Sequence, residues 1–540
     1  MPSKKNTPHK VKATARSLAC TMLLTATAFA ALPGHAHADE AQSLEALRQT
    51  TLGLIQALVQ QGFLTQEKAD QLVRQAGQAS AAAPAAAGAA AAANGAVAAT
   101  AAAPIRVPYV PEFVRKQISD QVREEVIAQA KAERWADANA IPEWVDRVKI
   151  EGDMRVGLQT EGYGNNNAAS AAYLAANGQN INEMTDDRAR LRMRARLGVN
   201  AKVTQDLSTV LRLTTGSAAD ALSTSQTLGA SGAKSSFALD RAFMRYHDDE
   251  ALPWMTVTAG RMANPWFGSD LVWNENLTLD GLQAQFDPAA KSDAVWRPYA
   301  GTGVFALQDV ETSLSNQAKS KWMLGLQGGV EWIPDNAMRA KVGLGYYDYK
   351  NVSGVRNSFG TTTTNKTAPD FRQKGNTLFD IANDGGATTL YALAADYQIV
   401  NFTAMLDMNL YDPVHVISTL DYVENIGFDQ DKTSARTGIT VARQTTGYMA
   451  RVAVGMPSML LRGDWQASLA YRYLEADAVL DAMTDSDFHL GGTNNKGYVL
   501  GLQYALGRNN WVSARYLSSN EVSGPPLSVN AMQVYFNAKF

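Results

Sequence analysis

Residues 188–199 read Arg-Ala-Arg-Leu-Arg-Met-Arg-Ala-Arg-Leu-Gly-Val, an alternation of arginine with apolar residues. Successive side chains of a β-strand point to opposite faces, so this period of two predicts a strand with one cationic and one apolar face. Five like charges spaced roughly 7 Å apart repel one another unless water, anions or carboxylates meet them. The row, called the arginine row below, comprises Arg188, Arg190, Arg192, Arg194 and Arg196.

The same alternation continues from residue 148 to the carboxyl terminus. Apolar residues from Trp322 to Trp332 precede a tight turn at 334–336, and a second alternating run follows in which Arg339 and Lys341 oppose the apolar face. These runs exceed the roughly five or six residues of a typical globular strand. Short turns alternate with long polar loops such as 351–387, as expected when turns gather at one rim of a membrane barrel and loops at the other.

These features predict an all-β fold, a transmembrane antiparallel β-barrel of 16–18 strands over residues 146–540. The apolar face would meet lipid and the polar face a lumen, and the sheet must close because unpaired backbone groups are costly in hydrocarbon. The alternating runs number about 17 and bacterial barrels use even numbers, so one further strand over 433–443 would favour 18.

The amino-terminal region has a different composition. Residues 1–38 resemble a signal peptide, since five basic residues precede an apolar run and the sequence Ala36-His37-Ala38. The full chain has 49 basic and 52 acidic residues, a net charge of -3; without the five leader charges the balance is 44 against 52, or -8. Cys20 is the one cysteine, so the mature chain would have no thiolate nucleophile and no cysteine metal ligand.

Between the signal peptide and the barrel we predict three segments. They are a short helical segment (39–78), an alanine-rich low-complexity linker (79–110) and an amphipathic helix (111–140) that either forms a coiled coil or docks on the main domain.

The last nine residues alternate and end on phenylalanine. By resemblance, an amphipathic final strand with a terminal Phe is the signal read by the barrel-assembly machinery of the outer membrane. The predicted signal residues are Met532, Val534, Phe536 and Phe540.

Several segments in order resemble the putative porin family of Gram-negative bacterial outer membranes. They include ERWADANAIPEWVDRVKIEGDMRV (133–156), AGRMANPWFGSDLVW (259–273), GDWQASLAYRYLEADAVLDAMTDSDF (463–488) and NNKGYVLGLQYAL (494–506). The resemblance runs from about Val107 to Phe540. It implies a channel-forming barrel and a homotrimer, and it implies no catalytic residues, no cofactor and no defined substrate.

Two interpretations of the polar face stay open. The arginine row, with Arg339 and Lys341, could line the pore, or it could form a salt-bridge lattice with Glu151 and Asp153. The segment 260–273 could fold into the pore as a constriction through Arg261, Asn264 and Asp270, or it could be a capped surface loop. Because the mature chain is acidic overall, the row alone does not predict anion selectivity.

We therefore expect a porin for passive diffusion of small hydrophilic solutes or ions, with an adhesin or structural anchor as the alternative. It would lie in the outer membrane, contacting lipid, with its helical amino-terminal part in the periplasm. The sequence predicts no enzyme, no cofactor, no metal site and no nucleic-acid partner: the histidines left after cleavage are far apart, and the charge balance is near neutral. Asp429 and Asp431 are expected to be turn acids rather than calcium ligands.

Overall fold

In the computed structural model of the chain, the described residues are 147–177, 186–289 and 293–540. The predicted signal peptide (1–38), helical segment (39–78), linker (79–110) and amphipathic helix (111–140) lie outside these residues. No helix among the described residues is long and apolar enough to cross a membrane.

The segments of alternating apolar and polar residues form β-strands over nearly the whole described region. The strands are β1 (Val148–Tyr163), β2 (Arg188–Lys202), β3 (Leu207–Thr215), β4 (Gln226–Thr227), β5 (Phe237–Tyr246), β6 (Met255–Ala263), β7 (Thr278–Phe286), β8 (Trp296–Gln308), β9 (Lys321–Trp332), β10 (Met338–Lys350), β11 (Leu378–Asp380), β12 (Tyr391–Leu393), β13 (Gln398–Tyr411), β14 (Val414–Asn425), β15 (Thr446–Gly455), β16 (Trp465–Leu474), β17 (Asn495–Gly507), β18 (Asn510–Glu521) and β19 (Ser528–Lys539). The helices are α1 (Ser170–Asn177) and α2 (Gln430–Thr437).

The long strands form one closed antiparallel sheet. Each pairs with its neighbours in sequence, and β1 pairs with β19 as well as with β2, so that Met154 lies opposite Ala538 on one side and Ala195 on the other. The two-residue β4 adds to β2, and β11 with β12 forms a separate small sheet. Without β4, the 17-stranded sheet is a barrel of 16 strands.

The preference for 18 strands is therefore wrong, and the reason is local. The segment proposed as an additional strand, 433–443, contributes to helix α2 instead. The side chain of Asp429 caps this helix by accepting a hydrogen bond from the backbone N–H of Lys432 (3.0 Å), and Gly438 ends it at a φ of 75°. An aspartate cap and a left-handed glycine are ordinary helix boundaries that outweigh a weak alternation.

Connections of different length gather at opposite rims. Among the described residues, the turn rim carries 203–206, 247–254, 287–289 with 293–295, 333–337, 412–413, 456–464 and 508–509, together with the carboxyl terminus. The loop rim carries 164–177 with 186–187, 216–236, 264–277, 309–320, 351–397, 426–445, 475–494 and 522–527.

The outer face carries exposed apolar side chains, for example Leu326 (57% exposed), Leu344 (57%) and Leu502 (60%). Trp322 and Trp332 stand ten residues apart in β9, about 33 Å along the strand, or about 25 Å along the membrane normal at the usual tilt of roughly 40°. That separation equals the apolar band of an outer-membrane barrel, with aromatic rings at both interfaces.

Candidate channel constriction

The loop 264–277 crosses the interior of the barrel. It connects β6 with β7, yet the backbone N–H of Ser269 donates to Asp421 Oδ2 of β14 (3.1 Å), and Arg472 Nη1 of β16 donates to the carbonyl of Asp270 (3.2 Å). Strands β14 and β16 lie far around the ring from β6. Only a loop that folds inward reaches them, so the loop lies inside the barrel, and its role as a constriction stays a prediction.

A glycine on the inner face of β9 leaves space for the loop. The loop's Trp266 packs over Gly325 of β9, where an added Cβ would come within 2.4 Å of the indole Cζ2. Trp273 meets Tyr347 of β10 edge-on, with ring centroids 4.8 Å apart, and Trp266 lies 5.3 Å from the same ring. This aromatic contact fills the β9–β10 side of the interior with apolar side chains.

The loop 264–277 is also held in place by contacts with the loop 475–494. Arg472, 2% exposed, donates to Thr484 Oγ1 (2.7 Å) and lies 3.6 Å from Asp485 Oδ2. Thr484 Oγ1 donates to the carbonyl of Leu271 (2.8 Å), and the N–H of Asn274 donates to the carbonyl of Met483 (2.8 Å). Burial raises the pKa of Asp485 above its usual value, and neighbouring Asp270 adds to the rise.

On the opposite wall, the arginine row is partly a salt-bridge lattice. Asp153 of β1 accepts hydrogen bonds from Arg194 Nε (3.1 Å) and Arg196 Nε (2.6 Å). Arg190 pairs with Glu161, a partner that sequence reasoning missed. Of the two predicted partners, Asp153 makes these ion pairs; for Glu151 none is seen among the described residues.

The row also faces the crossing loop. Arg194 Nη1 lies 3.8 Å from Glu275 Oε1, whose side chain is 73% exposed. Arginines of the row and an acidic residue of the loop 264–277 thus lie close to each other inside the barrel.

Residues 48–540 match the family model described as Putative porin. The chain belongs to the putative porin family. This porin is an outer-membrane channel protein and, as a member of that family, not an enzyme. No curated protein matches its sequence.

Three solved structures of similar fold are distant in sequence from this chain. OprB of Pseudomonas putida is 10% identical, with a TM-score of 0.44 over 75% of this chain and 97% of that chain. The outer-membrane channel DcaP of Acinetobacter baumannii is 11% identical, with a TM-score of 0.40 over 73% and 97%. An anion-selective porin from Comamonas acidovorans is 11% identical, with a TM-score of 0.39 over 73% and 99%.

Arg261, predicted in the constriction, lies elsewhere in this porin. It belongs to β6, opposite Asp280 of β7, and its Nη2 lies 2.6 Å from Asp280 Oδ2. The neighbours Met262 and Leu279, only 3% exposed, face the interior, so Arg261 and Asp280 face outward, each 46% exposed. Strand β6 continues to Ala263, so Arg261 belongs to the strand and not to the loop. Because side chains alternate along the strand, position 261 faces outward.

The other predicted residues lie on or near the interior. Asn264 Oδ1 accepts from the N–H of Trp266 (3.3 Å) and shapes the start of the loop. Lys341 Nζ sits 4.4 Å from the ring centre of Tyr299 and 4.8 Å from that of Phe267. Arg339 pairs with Glu331 near the turn rim, its Nε 2.6 Å from Oε1.

Sequence reasoning missed four arginines on strands near the arginine row. Together with the row they form the cationic wall of the barrel. Arg212 of β3 pairs with Asp240 of β5, and Arg241 of β5 lies opposite Arg212. Arg155 of β1 and Arg515 of β18 lie on the other side of the row. The sequence pattern does indicate Arg155, because it shares its strand face with Asp153. It does not indicate Arg241, because an irregular register between β3 and β5 changes which face this position occupies.

A buried polar cluster joins the loops at the loop rim. Glu521, at the end of β18, accepts from Tyr173 of α1 (2.8 Å) and Asn494 (2.8 Å), and its Oε2 lies 2.5 Å from His489 Nε2. Lys374 Nζ of the loop 351–397 lies 3.7 Å from the same carboxylate. Burial lowers the pKa of His489 to about 4, and Lys374 adds to the effect.

The carboxyl-terminal strand closes the barrel. Phe540 N donates to the carbonyl of Gly152 and accepts from its N–H through its own carbonyl, both at 3.0 Å. The outward side chains include Met532 (42% exposed) and Phe536 (48%) of β19 and Phe540 (71%), which directly follows the strand.

Proposed function

We propose that this porin forms a water-filled channel for passive diffusion of small hydrophilic solutes and ions, with its narrowest point between the arginine row and the loop 264–277. The observation that carries the proposal is the path of that loop, which is hydrogen-bonded to β14 and β16 across the interior. A constriction between fixed charges selects solutes by size and charge.

The pore-lining residues in this proposal are Arg188, Arg190, Arg192, Arg194, Arg196, Arg339 and Lys341, and the constriction residues are Asn264 and Asp270. Asp270 contributes mainly its backbone, because its carbonyl accepts from Arg472 and Thr484 (both 3.2 Å).

Single-channel recording in planar bilayers tests the function. We expect discrete conductance steps from the purified folded protein, and a changed conductance and reversal potential in asymmetric salt when Arg190, Arg192 and Arg194 are replaced by Gln. Arg261→Gln is the control because it removes an arginine from the outer face. Silence from correctly folded protein would argue against a channel and for an anchor or adhesin; unchanged selectivity would reject the pore-lining role of the row.

We further propose a homotrimer whose interface includes the outer face of β6 and β7. The outward pair of Arg261 and Asp280 supports this, since an ion pair is costly against hydrocarbon and is better accommodated against another protein surface.

Processing and assembly complete the proposal. Residues 1–38 would be removed as a signal peptide, the segment 39–140 would remain in the periplasm with 111–140 as its amphipathic helix, and the final strand would engage the barrel-assembly machinery. The outward row of Met532, Val534, Phe536 and Phe540 supports the last point, because these side chains form one apolar edge.

A further inference from the structure

Two guanidinium groups in the middle of the cationic wall have no carboxylate partner. Within the row, Arg190 is paired with Glu161, and Arg194 with Asp153. Arg192, between them, donates instead to Gln159 Oε1 (3.3 Å) and to the carbonyl of Ser225 (3.4 Å).

Arg155 of β1 is the second such group. Its Nη2 donates to Ser225 Oγ (3.0 Å), and its guanidinium carbon lies 4.6 Å from the ring centre of Tyr535. Among the described residues, neither Arg155 nor Arg192 forms an ion pair, so each guanidinium can still pair with a carboxylate.

The two groups are held in place by buried neighbours. Gln159 is 4% exposed. Its Oε1 accepts a hydrogen bond from the hydroxyl of Tyr535 (3.3 Å), and its Nε2 donates one to Glu161 Oε1 (2.8 Å). Tyr535 is itself 5% exposed. The guanidiniums are therefore fixed in position by protein contacts before any solute arrives, which lowers the entropic cost of binding.

A carboxylate of the protein already reaches this region from the facing loop. Asp487, in the loop 475–494, has its Oδ2 3.4 Å from Nη1 of Arg515. Burial alone would raise the pKa of Asp487, but Arg515, with Arg155 and Arg192, holds it below its usual value. Three cations thus stabilise the Asp487 carboxylate, and among the described residues Arg515 alone forms an ion pair with it.

We propose that Arg155, Arg192 and Arg515 form a binding site for small carboxylate anions in the channel, where Asp487 is the resident carboxylate with which the solute competes. The inference rests on the proposed channel function and adds the class of solute. A planar carboxylate matches the fork of a guanidinium, and Asp487 shows which chemistry the region accepts.

The test is block of the chloride current through single channels by malonate, with the neutral amide malonamide as a size-matched control. We expect malonate to reduce the wild-type current in a saturable manner and malonamide to leave it unchanged. Arg155→Gln and Arg192→Gln should each raise the half-blocking concentration about tenfold, the effect of losing one charged hydrogen-bonding group. Asp487→Asn should lower it, because the internal competitor is gone.

The controls separate this site from a general charge effect. Arg261→Gln removes a charge from the outer face of the barrel and should leave the block unchanged. Arg192→Lys keeps the charge but loses the planar fork, so it should weaken the block even if the Gln variants fail to fold. Chloride conductance without malonate block, equal block by malonamide or by inorganic phosphate, or an unchanged half-blocking concentration in the arginine variants would overturn the carboxylate site; absence of any conductance would instead overturn the channel function.

Discussion

At the scale of single residues, the side of the sheet to which a charge points decides its environment. Arg194 and Arg261 are both strand arginines, yet the first faces the crossing loop and the second faces outward beside Asp280. The difference arises because successive side chains of a strand point to opposite faces, so a shift of one position exchanges the inner face for the outer face. A count of arginines therefore gives little information on the electrostatics of the channel until each has been placed on a face.

The buried carboxylate of Asp421 should control how firmly the crossing loop is docked. Its Oδ2 accepts from both the N–H (3.1 Å) and the hydroxyl (2.5 Å) of Ser269. We expect Asp421→Ala to weaken docking by about 1–3 kcal/mol, the cost of leaving buried donors unpaired, and so to increase single-channel conductance and open-channel noise. Asp280→Asn, on the outer face, is the matched control, and equal traces for both variants would show that Asp421 does not anchor the loop.

His489 should make the loop cluster sensitive to acid. Its pKa is lowered to about 4 in the folded protein, against about 6.5 when unfolded, so the neutral form is the one that the fold prefers. The unfolded state binds the proton first; stability is therefore fully present above about pH 6.5 and is lost as the pH falls toward about 4.

Protease cleavage of the loops of folded protein, measured from pH 7 to pH 4, reports this change. Cleavage should rise as the pH falls in the wild type and should depend less on pH in His489→Gln, which cannot be protonated. An identical profile for the two proteins would exclude His489 as the titrating group.

At the scale of elements, the inward loop depends on a wall that lacks side chains. Gly325 faces Trp266, whereas Gly328, three residues later in the same strand, has no atom within 4 Å of an added Cβ. The two glycines thus differ only in the face they occupy, and only the inner one leaves space for the loop.

Gly325→Ala should therefore displace Trp266 and loosen the loop. Overpacking of this kind costs about 1–3 kcal/mol, so we expect a lower melting temperature and a changed conductance. Gly328→Ala should stay within about 0.5 kcal/mol of the wild type. Similar melting curves for both variants would contradict the packing of Trp266 against this wall.

The final strand combines closure of the barrel with the proposed assembly signal. The ring of Phe540 lies over Gly152, where an added Cβ would be 2.4 Å from its Cζ. We expect Phe540→Ala to reduce the fraction of barrel assembled in cells much more than it reduces the melting temperature of refolded protein, because its backbone hydrogen bonds to Gly152 persist. Lys539→Gln is the control; a loss of stability as large as the loss of assembly would assign Phe540 a role in packing instead of recognition.

At the scale of the whole molecule, the barrel has polar loops at one rim, short turns at the other and two aromatic belts between them. This arrangement orients the protein across a bilayer, since aromatic side chains prefer the interfaces and large polar loops do not cross readily. The outward ion pair of β6 and β7 interrupts the apolar outer surface and leads to the proposed protomer contact.

Cysteine cross-linking tests that contact, because the mature chain would carry no cysteine of its own. Leu282→Cys (Leu282 55% exposed, in β7) should form disulfide-linked dimers under oxidation, whereas Leu502→Cys (60% exposed, in β17) should not. Cross-linking at neither position, or equally at both, would argue against a homotrimer that uses this face.

The sequence alone determined the fold class, the position of most strands and the separation of a cationic from an apolar face, because alternation is a local property that a strand expresses directly. It also named Asp153 as a partner of the arginine row, and for the segment 260–273 it left both a constriction and a surface loop open. Only the tertiary structure decided that the loop crosses the interior, that Arg261 faces outward and that residues 430–437 form a helix in a barrel of 16 strands. Each of these depends on contacts between residues far apart in the chain or on the exact end of a strand, and neither is encoded in the period of a single segment.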